Sequence, residues 1–179
     1  MKPTLQTEHL VLRDAVAEDV ARRLAVGPTS PEILRAYGQV VSGPAAFGEP
    51  EAERWVSWLT AHPNAWVIEG EGRLLGAIRL DNVNHDDKRA SLAIGLFNIA
   101  DAGKGTGSEA ARAVLRFAFD RLELHRVSVR VLEFNTRAIR LYAKLGFQVE
   151  GKERETAFVD GKWCDDLIMG LLEREFLAG

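Results

Sequence analysis

Residues Leu96 to Leu122 read LFNIADAGKGTGSEAARAVLRFAFDRL. An apolar strand enters a glycine-rich turn, Gly103-Lys104-Gly105-Thr106-Gly107, and an amphipathic helix follows. That helix carries Ala111, Leu115, Ala118 and Leu122 on one face, with Arg112, Arg116 and Asp120 elsewhere. Glycine lets the backbone approach a ligand with no Cβ in the way. The first N–H groups of a helix have no partner inside it, and with the positive end of the helix dipole they make an anion site. The stretch therefore predicts a phosphate-bearing ligand.

The rest of the chain bounds the answer. Its 179 residues, 46% hydrophobic and 27% charged, fit one soluble domain able to bury its own core. A net charge of −3 argues against nucleic acid as the main partner and mildly favours a cationic substrate. The single cysteine, Cys164, cannot form an internal disulfide and fits a reducing, cytoplasmic setting. The sequence holds no apolar run of the ~20 residues a membrane helix needs, so no membrane partner is expected. MKPTLQTEHLVLRD does not read as a signal peptide. The four histidines are scattered, and no metal-ligand spacing is present.

In chain order, residues 9–13 alternate as a strand, and Ala15 to Val26 reads as a helix with Val16, Val20 and Leu24 on one face. Ser30-Pro31 opens a short helix to about Tyr37. Gly43 to Gly48 reads as loop. Pro50 to Ala61 is a helix placing Trp55, Trp58 and Leu59 together, either as core or as a substrate wall. Three strands follow in meander order, 65–69, 73–83 and 88–97, the last two with small or apolar residues on both faces. Further strands are read at 126–131, 147–150, 154–159 and 163–172, with a helix at 136–145 ended by Gly146 and a hairpin turn at Asp160-Gly161. The pattern is α+β: a mixed sheet of six or seven strands with helices on both faces, in a single domain over residues 1–179.

Three phosphate loops compete. A Walker loop needs its lysine at the end, whereas Lys104 comes near the start. Gly105-x-Gly107-x-x-Ala110 matches a dinucleotide fingerprint, yet the acid expected about 20 residues on is late, at Glu133, and no parallel βαβ repeat follows. The third option joins the loop to a second cluster, Asn135-Thr-Arg-Ala138-Ile-Arg-Leu-Tyr142-Ala-Lys144-Leu-Gly146-Phe147. With both motifs in this order, the chain resembles the GNAT superfamily of acyl-CoA N-acyltransferases, in particular its RimJ/RimL-like branch. The resemblance extends over the tail from Gly151 to Met169. It implies a mostly antiparallel sheet and an acetyl-CoA co-substrate. It implies cofactor contacts from Leu96, Phe97, Gly103, Lys104, Gly105, Thr106, Gly107, Ser108, Asn135, Ala138 and Lys144. One departure is Ala102, where the family usually has Arg or Gln, which leaves the loop to hold pyrophosphate mainly with backbone amides.

The resemblance also implies direct attack of a primary amine on the thioester. Tyr142 is the expected acid for the thiolate, since a phenol with a pKa near ~10 keeps its proton at neutral pH. A backbone N–H near Phe97 is the expected oxyanion donor. Asn135 is expected to cap the helix at Thr136 and to reach the pantetheine. Arg137, Arg140 and Lys144 share a face, either solvated or near the adenosine phosphates. The base is open among Glu69, Asp81, His85, Glu133 and Glu155, because Arg130 stands where some relatives have glutamate. The acceptor is a protein N-terminus or a small amine such as a polyamine or aminoglycoside, in a pocket built from Gly27 to Trp58 and the loop at Asn84 to Asp87. A homodimer is compatible with the branch. A catalytically idle CoA-binding module and a nucleotide-dependent oxidoreductase are the competing functions.

Overall fold

The chain begins with two short strands, β1 (Leu5–Gln6) and β2 (Leu10–Arg13), and three helices, α1 (Asp19–Val26), α2 (Pro31–Ala36) and α3 (Glu49–Ala61). A meander of β3 (Ala65–Gly70), β4 (Arg73–Asn84) and β5 (Arg89–Leu96) leads through a 3-10 turn (Ile99–Asp101) to α4 (Thr106–Asp120). Then come β6 (Arg126–Leu132), α5 (Thr136–Lys144), β7 (Gln148–Val159), β8 (Lys162–Leu172) and α6 (Glu173–Leu177). The structure, a computed structural model, describes residues 2–39 and 47–177. Most of the loop expected over residues 43–48 lies outside the described residues.

All eight strands form one sheet, in the order β1-β2-β3-β4-β5-β6-β8-β7. Every neighbouring pair is antiparallel except β5 and β6. The strand count exceeds the expected six or seven. β1 is only two residues long and exists through its pairing with β2, Leu5 opposite Leu12, which no periodicity reveals. The two segments expected at 147–150 and 154–159 are one strand, β7, whose register shifts between Glu153 and Ala157 around Glu155 at φ 55°. The hairpin turn falls at Asp160-Gly161, both at positive φ, as their sequence predicts.

The sheet is covered on both faces. Leu12, Trp66, Ile68, Ile78, Leu80, Val127, Val129 and Met169 pack against Ala111, Val114 and Leu115 of α4 and Tyr142 of α5. On the other face Val67, Ala65, Leu74 and Phe97 meet Val56 and Leu59 of α3. Trp58 is an exception to the expected aromatic face: Leu59 is sealed, but Trp58 stays 45% exposed.

α1 also departs from its apolar reading. It starts at Asp19, four residues later than expected, and buries Asp19 and Arg23 while Val16 lies outside and exposed. The reason is a charge cluster. Asp19 accepts two hydrogen bonds from Arg13 at 2.7 Å each and one from the Val16 N–H at 3.0 Å. Arg13 and Arg22 also hold Glu69. Burial alone would raise the Asp19 carboxyl, but the Arg13 hydrogen bonds, the Val16 N–H and Arg22 outweigh it and hold the group below its ordinary pKa. Arg22, then Arg13, does the same for Glu69 against a smaller desolvation. A carboxyl depressed in the folded state contributes stability that is complete above its unfolded pKa, about 4, and lost as pH falls below it. Urea unfolding should therefore show stability declining below about pH 4. Asp19→Ala, which leaves Arg13 with Glu69 alone, should cost about 3 kcal/mol at pH 7 and flatten part of that acid decline.

Candidate functional site

β5 and β6 pair only where Arg89 to Ser91 run beside Arg126 to Ser128. Beyond that point β5 continues with β4, and β6 with β8. The two strands splay, and a cleft opens between them. In an antiparallel ladder alternate residues turn their N–H and C=O toward the partner strand. Phe97 donates to the Leu75 carbonyl at 2.9 Å, so the odd residues of β5 face β4. The backbone groups of Ile94 and Leu96 therefore face the cleft. Phe97 is differently employed: its N–H is held by Leu75 and its carbonyl accepts from Ser30 at 2.8 Å. Its ring closes the end of the strand, edge-on to Trp55 at 5.3 Å and under the Arg23 guanidinium at 3.9 Å. Leu96 and Ile94 thus both turn backbone groups to the cleft. Alternation alone could have found Ile94, had the direction of pairing been known.

Gly76 makes this strand pair possible. A Cβ there would lie 2.0 Å from the Gly95 carbonyl oxygen, so only glycine lets β4 cross β5 so closely at the mouth of the cleft.

The glycine-rich turn sits at one end. Gly103 and Gly105 take φ of 82° and 96°, and nothing lies within 4 Å of where their Cβ atoms would be. Gly105 is the N-cap of α4 and supplies no side-chain bond, so the N–H groups of Thr106, Gly107 and Ser108 are left without a side-chain cap. Lys104 is exposed beside them. Gly107 has a separate reason: a Cβ would approach Leu141 of α5 to 2.7 Å, so this glycine lets the two helices meet. Glu109, the acid of the first turn, is turned away to Thr7 and the His9 N–H. Ala102 ends the 3-10 turn and offers no side-chain donor.

α5 forms the opposite wall. Asn135 caps it, its Oδ1 accepting from the Ala138 N–H at 3.1 Å, while its Nδ2 donates to the Ala36 carbonyl at 3.3 Å. The amide thus serves helix and α2 with different atoms and keeps one N–H to spare. Tyr142 is 6% exposed and packs beside Phe147, ring centroids 5.5 Å apart. No hydrogen bond to its hydroxyl is made among the described residues. Burial, with the neighbouring Tyr37 adding and Arg79 opposing, pushes the phenol well above its ordinary pKa. Lys144 stands in the last turn of α5, exposed like Arg137 and Arg140.

Two residues the sequence did not single out complete the cleft. Tyr37, following α2, donates its hydroxyl to the Ile94 carbonyl and lies over Gly95. Its ring is half exposed, but the hydroxyl end is enclosed, and burial raises it to about 12. Arg79 of β4 is the charge that both tyrosines feel. The expected bases are mostly engaged elsewhere. Glu69 belongs to the Arg13–Arg22 cluster, Glu133 pairs with Lys152 at 2.7 Å, and Asp81 is held by His62 at 3.0 Å and Arg79 at 2.7 Å. Arg130 pairs with Glu153 and Asp166. His85 and Glu155 are exposed. Among the described residues no three His, Cys, Asp or Glu side chains gather in a way that could hold a metal.

This topology does not fit the oxidoreductase alternative: a doubly wound dinucleotide fold needs a parallel sheet, and here a single strand pair is parallel.

Comparison with known proteins agrees. Spermidine N(1)-acetyltransferase of Escherichia coli K12 is 31% identical over 113 residues, 63% of this chain and 60% of that one. The [ribosomal protein uS5]-alanine N-acetyltransferase of the same organism is 31% identical over 77 residues, 43% of this chain and 40% of the relative. The chain thus spans about 60% of the length of the first of these relatives, and less of the second. Spermidine N-acetyltransferase from Vibrio cholerae, solved with CoA and spermine, superposes with a TM-score of 0.76 at 23% identity, over 96% of this chain and 99% of that one, a likeness of fold. The family model described as acetyltransferase (GNAT) domain matches residues 9–148, which takes in the glycine-rich turn, the cleft and α5; the chain belongs to the GNAT acetyltransferase family.

Proposed function

We propose that this protein is an acetyl-CoA-dependent N-acetyltransferase acting on a primary amine. The observation that carries the reading is the cleft itself: strand groups of Ile94 and Leu96 face it, an uncapped helix N-terminus stands at one end, and Tyr142 of α5 stands near Tyr37 and Arg79. The relatives that act on spermidine or on a ribosomal protein support the reaction class.

The residues fit such a co-substrate. Its pyrophosphate matches the N–H groups from Gly103 to Ser108 and the charge of Lys104, with open space where two Cβ atoms would otherwise stand. Its pantetheine amides match Ile94 and Leu96, as an added strand matches a sheet edge, with Asn135 and Ala138 at the start of α5 alongside. Acetyl-CoA supplies the activated acyl group. Tyr142, held protonated across the neutral range, donates toward the leaving sulfur. A cleft-facing N–H of Ile94 or Leu96 takes the place first expected of Phe97 and stabilises the charge that gathers on the acyl oxygen. The amine enters from the Tyr37 side, opposite α4 and α5.

Three measurements test this. Acetyl-CoA at about 100 times its Kd should stabilise the fold by about 2.7 kcal/mol and raise Tm by roughly 5–10 °C; no shift would remove the cofactor. Gly105→Val, which forces a side chain into a left-handed backbone and into the anion site, should weaken acetyl-CoA binding by about tenfold in calorimetry. Tyr142→Phe should lower kcat by about a hundredfold or more while leaving the acetyl-CoA Kd within about twofold; wild-type turnover would dismiss the phenol as the acid.

A further inference from the structure

The Tyr37 side of the cleft carries arginines with unengaged guanidinium edges. Ala77, Arg79 and Asp81 of β4 stand opposite Gly95, Ala93 and Ser91 of β5, and paired residues point to the same face. Tyr37 lies over Gly95 on that face, its hydroxyl 3.0 Å from where a Cβ would be. Arg79 is thus one diagonal step from the Tyr37 hydroxyl. Its guanidinium reaches Asp81 through Nε alone, at 2.7 Å, and its Cζ lies over the ring of the exposed Trp58, 5.2 Å from the centroid. Among the described residues the two terminal nitrogens have no hydrogen-bond partner.

Asp81 holds that arginine with one oxygen and meets His62 with the other. The Asn64 N–H donates to His62 Nδ1 at 3.2 Å, so the proton of a neutral His62 is on Nε2, which donates to Asp81 at 3.0 Å. The carboxylate thus positions Arg79 with one oxygen and is bridged to His62 by the other.

The same face continues past Ser91, whose Oγ lies 3.3 Å from that of Ser128. There it forms a cavity of about 650 Å³ lined by Asn84, Arg89, Ser91, Arg126 and Ser128 among others, with no carboxylate in its wall. Arg126 is spent on Glu150, but Arg89, like Arg79, touches its partner, Asp87, through Nε only, at 3.1 Å. Asp81 holds one edge of Arg79 and Asp87 one edge of Arg89, and the other edge of each guanidinium is left to take an anion. The planar fork of arginine binds carboxylate through two parallel hydrogen bonds.

We propose that Arg79 selects the acceptor: it binds a carboxylate of the acceptor, so that the preferred substrate is an amine carrying a carboxylate, such as an amino acid or an acidic peptide N-terminus, and not a polyamine. This rests on the N-acetyltransferase reading above. The guanidinium also disfavours a second cation beside it. It therefore favours the neutral form of the amine that attacks, and α-amines, with pKa near ~7.7–8.0 against ~10.4 for a lysine-like amine, give up their proton most easily.

The test is release of CoA thiol with four acceptors: the peptides Ser-Asp-Glu and Ser-Lys-Lys with amidated C-termini, free aspartate, and spermidine. With wild-type protein, kcat/KM for Ser-Asp-Glu should exceed that for spermidine and for Ser-Lys-Lys by about tenfold or more. Free aspartate separates the two sources of the chemistry: its turnover shows that a small amino acid suffices, and its failure beside Ser-Asp-Glu assigns the site to peptides. Arg79→Gln should raise KM for the acidic acceptor by about tenfold with kcat nearly kept, Arg79→Lys should recover part of it, and the acetyl-CoA Kd of both should stay at the wild-type value. Arg79→Glu should shift the preference toward spermidine. Equal or better turnover of spermidine by wild type, or an equal loss of all acceptors in Arg79→Gln, overturns the selection and leaves the acetyltransferase standing. Thiol release with none of the four overturns both.

Discussion

Two strand edges that face each other without pairing are the constraint on which the rest depends. A buried backbone N–H or C=O needs a partner. β5 satisfies one edge with β4 and β6 satisfies one with β8, and each meets the other for only three residues. The remaining edges must be served by something that is not a strand. In the structure the Tyr37 hydroxyl does this for the Ile94 carbonyl. The Ile94 N–H and the Leu96 groups are left facing the cleft, as an extended amide-bearing chain requires.

The two sides of the cleft are set apart electrically. On the α4 and α5 side the charge comes from backbone: an uncapped helix start with Lys104 beside it. On the α3 side it comes from side chains, Arg79 and Arg89, each held by one carboxylate at one edge. Both sides offer hydrogen-bond donors to an anion although the whole chain carries −3. Net charge mildly suggested a cationic substrate, whereas the free edges of Arg79 and Arg89 are the basis of the opposite proposal. The sum over the surface says little about a groove whose few charges are fixed at short range, since exposed charges farther than about 8–10 Å are screened by salt.

The wall around the cleft is stiffened by groups whose role is not apparent from hydropathy. Arg23 is 4% exposed, lies between the rings of Phe47 and Phe97, and bonds the Gly27 carbonyl and Thr29, tying the end of β5 to the segment before α2. Burial without a carboxylate partner lowers it to about 10, which still leaves it charged at neutral pH. Asp19 likewise replaces an apolar anchor in α1.

The local patterns were legible from the sequence alone. The glycine-rich turn opening α4, the Asn135 cap, the Asp160-Gly161 turn and the alternation of β6 each follow from a few neighbouring residues and a fixed geometric period. Together with the spacing of the two motifs they carried the family. What needed the tertiary structure was every feature that joins distant residues: the two-residue β1, the continuity of β7, and the buried Asp19 in place of Val16. The same holds for the engagement of Phe97 by Leu75 and Ser30, and for the meeting of Tyr37, Arg79 and Tyr142 at one cleft. The physical reason is that a strand's period tells which residues share a face but not which face, nor which edge is left unpaired. Those depend on sheet order and register, which are settled by packing across the whole chain.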